Sequence, residues 1–208
     1  MHRNLHGMIA PTARPSLEIP MSLLSKKALV LLLAAATGLG ALNAQAAKAT
    51  SSAAPAHKVS MLGSKFTFNL PKGFIASPLP ASPDGASGTL YSNETTKTVV
   101  IAAENTLPNG VSVKDNDGGF LDGTAADFEA AQHKSLPDYN KLSEKALTRT
   151  TGLGLRQIDG TATQGGGMTL TTTLMAASGT RMAVIQVISR PGDMAAHETL
   201  IKQIVSGK

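Results

Sequence analysis

The 208-residue chain is 42% hydrophobic and 16% charged, which suits one globular domain, but only 3% aromatic, so its core has to be built from Val, Ile, Leu, Met and Ala. It contains no cysteine, which excludes a disulfide framework and a lipid-modified cysteine after an export signal. The net charge of +5 falls to +2 once residues 1–46 are set aside, 15 basic against 13 acidic residues over the remaining 162, and no basic cluster with interleaved aromatics supports nucleic-acid binding.

The N-terminal region differs from everything after it. Lys26 and Lys27 form a short positive segment, and Ala28 to Leu42 is an apolar run interrupted only by Thr37, Gly38 and Gly40. Small residues follow, with Ala44 and Ala46 at the −3 and −1 positions of an A-x-A cleavage site. The pattern is that of a secretory signal peptide over residues 21–46. About 15 apolar residues fall short of the roughly 20 that span a bilayer as a helix, although an uncleaved anchor is the alternative. Residues 1–20 show no apolar period, and translation is expected to start at Met21, leaving 1–20 as a mis-assigned start or a disordered extension. Residues 47–58, rich in Ala, Ser and Thr, read as a flexible linker, and 59–208 as one domain.

Within the domain, Val59–Leu62 and Phe66–Leu70 alternate apolar and polar residues around Gly63 and predict two strands, the second ended by Pro71. Ser77–Gly88, with three prolines, predicts a loop. Thr89–Ser92 and Thr98–Ala103 flank a turn at Asn93-Glu94-Thr95-Thr96, and the unbroken run Val99–Ala103 predicts a strand buried on both faces. Asn93-Glu94-Thr95 also fits a glycosylation sequon, a tripeptide common by chance. After a turn at Leu107–Gly110 and a polar loop at Lys114–Gly119, Thr124 is expected to cap a helix carrying Ala125, Phe128 and Ala131 on its apolar side and ended by Pro137. Strands follow at Asn140–Thr150, Leu155–Gln164, Met168–Ala177 and Arg181–Ser189. Met168, Leu170, Leu174 and Ala176 share one face of the third of these, and Thr169, Thr171 and Thr173 the other. The last strand is apolar on both faces. Asp193 then caps a helix whose stripe is Met194, His197, Leu200, Ile201, Ile204 and Val205, with Gly207 at its C-terminal end. Hairpin-linked strands and two amphipathic helices predict an α/β (α+β) fold, a three-layer α/β/α sandwich around a mainly antiparallel sheet.

Candidate chemistry is sparse. The loop bearing Asp115, Asp117 and Asp122 invites a calcium reading but lacks the EF-hand Gly and Glu, Phe120 and Ala126 standing in those positions. Gly152-Leu153-Gly154 and Gly165-Gly166-Gly167 open no predicted helix, so they read as turns rather than phosphate loops. No G-x-S-x-G or H-E-x-x-H occurs. His57 falls in the linker, and His133 and His197 fall on separate helices, His197 as a packed residue. No catalytic, cofactor-binding or metal-binding residue is therefore assigned.

The chain resembles the DcrB family of bacterial envelope proteins, within the wider Mog1/PsbP-like group, over about residues 59–205. The resemblance rests on Leu62-Gly63-Ser64-Lys65-Phe66-Thr67-Phe68-Asn69-Leu70-Pro71, on the Tyr91-Ser92 and Thr98-Val99-Val100-Ile101 hairpin, on the Met182–Val187 strand and on the terminal helix. It implies a three-layer α/β/α fold and a periplasmic, non-enzymatic role in envelope processes, including susceptibility to certain phages. The chain departs from that family's lipoprotein pattern, because no Cys follows the signal. The expectation is a periplasmic binding or adaptor protein without cofactor or integral membrane segment, whose partner is an unknown envelope or secreted protein. Two alternatives stand beside it: an immunity or chaperone-like protein masking a toxin or secreted effector, and a metal-dependent enzyme using Asp115, Asp117 and Asp122. Intact-mass measurement of the exported chain is expected to place its first residue at Ala47; a species retaining residues 21–46 in the cytosol would overturn the export reading.

Overall fold

The computed structural model describes residues 56–80 and 86–207, so the expected signal peptide, the Met21 start and most of the linker lie outside the described residues. Nine strands and two α-helices are described: β1 His57–Met61, β2 Phe66–Leu70, β3 Ile75–Pro78, β4 Ser87–Asn93, β5 Thr98–Thr106, α1 Gly118–Ser135, β6 Asn140–Thr148, β7 Gly154–Gln164, β8 Gly167–Ser178, β9 Arg181–Ser189 and α2 Met194–Ser206. Short 3-10 turns at Pro108–Gly110 and Pro191–Asp193 precede α1 and α2.

Seven strands form one antiparallel sheet in the order β3-β4-β5-β9-β8-β7-β6, and β1 and β2 form a separate hairpin. The segment carrying α1 leads from the inner strand β5 to the far edge strand β6, and the chain then works back inward through β7 and β8 until β9 pairs with β5. The fold is thus α+β in three layers, as the hairpin and helix signals predict. The doubly apolar strands sit where two-sided cover exists. On β9, Ala183, Ile185 and Val187 face the hairpin and α2, while Met182, Val184 and Ile188 face α1.

The two sides are filled differently. The α1 side is closed by Phe120, Leu121, Ala125 and Phe128 on Ile101, Ile158, Met175 and Val184. On the other side α2 lies chiefly against β2, with β8 and β9 beneath it, so hairpin and helix share that face. Phe66, Phe68 and Leu70 on β2 are fully buried there with Leu200, Ile201 and Ile204 of α2. Glu104 ties the hairpin down: its Oε2 accepts from Leu62 N at 2.6 Å, and its Oε1 lies 2.6 Å from Arg181 Nη1.

Three expectations change. β1 begins at His57, whose Nε2 lies 2.8 Å from Phe74 O, so His57 and Lys58 belong to the domain rather than the linker. The expected loop from Ser77 contributes a short exposed strand, β3, which Pro78 limits to the sheet edge. α1 starts at Gly118, six residues before Thr124, because Asp117 accepts from Phe120 N at 3.0 Å and is the true cap. Thr124 is buried inside the helix and donates to Phe120 O at 2.9 Å. On β8 the threonine row is buried too: Thr169 donates to Ala162 O at 2.8 Å, and Thr171 and Thr173 pack inside.

Replacing Ile185 by Ala should cost about 2–5 kcal/mol, since it empties a fully buried site between the sheet and the hairpin–α2 layer. The same change at Ile75, exposed on edge strand β3, should stay within about 0.5 kcal/mol. Urea unfolding of the two variants checks the contrast; equal losses would contradict the assigned core.

Candidate functional site

Because α2 lies over β8, β9 and the hairpin, the same face of β6 and β7 carries no helix. The space beside α2 is a groove of about 940 Å³ lined by β6, β7, β8 and the outer side of α2. Its walls are mostly apolar, with Leu142, Leu147 and Leu170 from the sheet opposite Met194, Ile201 and Val205 from the helix. Leu142 is the extra residue of a bulge in the β6–β7 ladder, and it stands 56% exposed. A bulge twists an edge strand and re-aims its side chain, which here lands on the groove. Met194, 55% exposed, faces it from the start of α2.

A chain of polar side chains crosses the floor. Asp159 on β7 accepts from Ser143 Oγ at 2.6 Å, from Gln157 Nε2 at 2.9 and 3.0 Å, and from Thr172 Oγ1 at 2.8 Å, with Lys145 Nζ 3.5 Å away. Thr172 has one hydroxyl proton and gives it to Asp159, so the His197 Nε2 2.9 Å from Thr172 Oγ1 is the donor of that contact. Because burial disfavours the imidazolium, His197 Nδ1, 2.7 Å from Ser189 Oγ, is the acceptor of that contact and the ring is the neutral Nε2–H form. Burial holds His197 below its ordinary pKa, against the weaker opposing pull of the Asp159 and Glu198 charges. Burial alone would raise Asp159, but the hydrogen bonds from Ser143, Gln157 and Thr172 and the Lys145 charge outweigh it and keep the carboxyl below its usual range.

At the other end of the groove Arg149 follows β6. Its guanidinium stacks on Phe66, 4.7 Å from the ring centroid, and Nη2 donates to Thr67 O at 2.8 Å. Gly207, at φ +78° after the last turn of α2, makes this approach possible: a Cβ there would collide with Arg149 Nη2 and stand 2.9 Å from Thr67 O.

The acidic loop does not gather its carboxylates. Asp115 is held by Lys65 Nζ at 2.8 Å and Ser178 Oγ at 2.7 Å, Asp117 caps α1, and Asp122 pairs with Arg156. Among the described residues no group of three or more His, Asp or Glu is placed to hold a metal ion. The glycines at 152, 165 and 166 have positive φ and make turns. Sequence reasoning placed His197 among packed residues but missed its partners. The available signal was a lone Asp159 on the otherwise apolar-polar strand β7, together with Thr172 among apolar neighbours on the α2-facing side of β8.

No protein-family model matches the chain, and no curated protein sequence matches it. Solved structures do. The chain is similar to cyanobacterial PsbP (CyanoP) from Synechocystis sp. PCC 6803, at 10% identity and a TM-score of 0.56, over 81% of this chain and 98% of that one. It is also similar to LpqN of Mycobacterium tuberculosis, involved in cell envelope biogenesis, at 15% identity and TM-score 0.44 over 72% and 87% of the two chains. PA94 of Pseudomonas aeruginosa, of unknown function, is matched at 14% identity and TM-score 0.41 over 71% and 92%. At these identities the likeness to CyanoP defines a fold, and the chain has the PsbP-like fold. The two lower scores add nothing to that assignment.

Native His197 is neutral and its pKa depressed, so its contribution to stability is complete above about pH 6.5 and is lost as pH falls from there through the native value. Urea unfolding of wild type at pH 7 and pH 5 should show that loss, and His197→Gln should remove it; parallel pH slopes would contradict the neutral buried assignment. Asp159→Ala, which leaves the Thr172 and Ser143 hydroxyls without their acceptor, should cost about 1–3 kcal/mol at pH 7.

Proposed function

We propose that the chain is an exported, non-catalytic binding protein of the bacterial cell envelope, comparable in role to the DcrB family, and that it binds in the groove between α2 and strands β6–β7. The observation that carries this reading is the groove itself, an open apolar cleft with a small number of fixed polar groups, which is the general character of a ligand site. The export half rests on the signal pattern of residues 21–46. Among the described residues no helix is long and apolar enough to cross a membrane.

The polar chain supports binding rather than turnover. Ser189, His197 and Asp159 superficially resemble a hydrolase relay, but Thr172 stands between histidine and carboxylate. Ser189 is buried and is not part of the groove lining, so no substrate in the groove reaches its hydroxyl. Every oxygen of Asp159 already accepts hydrogen bonds, which leaves it no general-base role. The network fixes the floor and locks α2 to β8 and β9.

The test is native mass spectrometry of the protein isolated from its own envelope. It should carry an occupant that Leu142→Arg removes and Ile75→Arg keeps, both positions being exposed enough to leave the fold intact. A bare protein, or an occupant indifferent to Leu142→Arg, would overturn the reading.

A further inference from the structure

The groove has two distinct ends. The row Ser143–Asp159–Thr172–His197 joins β6 to the first turn of α2, and Arg149 meets Gly207 just past the last turn. β6 and α2 therefore run side by side in the same direction, and the cleft between them follows the helix for about 15 Å at 1.5 Å per residue. Leu142, Leu170 and Met194 surround one end, Leu147, Ile201 and Val205 continue the apolar wall, and the far end is lined by Arg149 and Lys202 with Thr148, Thr150 and Ser206.

Among the described residues Arg149 is left without a counter-charge. It is 9% exposed, makes no ion pair with a carboxylate among the described residues, and its Nη1 is shielded from water with no acceptor. Desolvation alone pulls this guanidinium below its ordinary pKa. A buried cation without counter-charge is costly, and an arriving anion relieves the cost. Its contacts with Phe66 and Thr67 O supply packing and one hydrogen bond but no negative charge. The acidic groups of the groove are, by contrast, already engaged: Asp159 by its four donor residues and Glu198 by Lys202 at 3.7 Å. A cationic ligand would find both carboxylates of the groove already paired and would meet Arg149.

We infer that the groove binds an amphiphile with an anionic head group, the hydrocarbon tail lying along Leu147, Ile201 and Val205 toward Leu142 and Met194, and the head against Arg149. The inference rests on the groove being the binding site and names the chemistry of its ligand. A carboxylate and a phosphate ester offer the same negative oxygens to the guanidinium, so either head satisfies it.

Calorimetric titration of the delipidated exported chain with dodecanoate, dodecyl phosphate, uncharged dodecyl maltoside and inorganic phosphate tests it. Both anionic dodecyl compounds should bind at least about tenfold more tightly than the maltoside, and inorganic phosphate alone should give no heat. The stronger of the two anionic compounds identifies the head group. Arg149→Met should abolish the preference for the anionic compounds over the maltoside, and Arg149→Lys should restore part of it. Leu142→Asp, at an exposed position that keeps the fold should Arg149→Met fail to refold, should weaken all three dodecyl compounds about tenfold. Equal affinity for maltoside and dodecanoate, binding of inorganic phosphate as tight as dodecyl phosphate, or a preference that survives in folded Arg149→Met would overturn the inference. If no dodecyl compound binds while the exported protein still carries an occupant that Leu142→Arg removes, the ligand chemistry falls and the groove reading stands.

Discussion

The architecture depends on one packing constraint: a two-stranded hairpin and a single helix share one face of a seven-stranded sheet. Phe66, Phe68 and Leu70 fill the space between hairpin, helix and central strands, and α2 leans on them rather than lying centred on the sheet. Fully burying three such side chains contributes about 1.5–3 kcal/mol each, so the helix is held in its position against β2 and away from β6 and β7. What that arrangement leaves uncovered is the groove. On the opposite face the long helix α1 closes over β7 and β8 with Phe120 and Phe128.

An apolar core alone would leave α2 free to slide along its stripe. The buried chain from Ser189 through His197 and Thr172 to Asp159 removes that freedom, because each hydrogen bond has one donor and one acceptor and works in one register only. The same chain gives the groove a floor whose carboxylate is already engaged. Electrostatic selectivity is thereby shifted to the opposite end, where Arg149 is packed between hairpin and helix without a carboxylate partner among the described residues.

The fold was legible in the sequence wherever an unbroken apolar run or one side-chain period dominated. The run Val99–Ala103, the alternation of Arg181–Ser189, and the stripe from His197 to Ile204 with Asp193 and Gly207 at its ends all lie where the patterns place them. Failures came from local chemistry with two readings. Asp117 and Thr124 are both good caps, and burial of Phe120 and Leu121 decided for the earlier one. Ile75–Pro78 has no period because an exposed edge strand needs none. The site was hardly legible, since Leu142, Asp159, Thr172, His197 and Arg149 come from three strands, a helix and a turn, and only the sheet register brings them together. The bulge that exposes Leu142 is a property of the ladder and leaves no mark in the sequence.

The central claim is spatial: the side of the sheet that α2 fails to cover is where this protein meets its ligand. Backbone amide shifts of the isotope-labelled exported chain, followed while dodecanoate is added, locate the contact directly. The account predicts changes confined to residues around Leu142, Leu147, Leu170, His197, Ile201 and Val205, with α1 undisturbed. Changes centred on α1 or on strand β3 would contradict it.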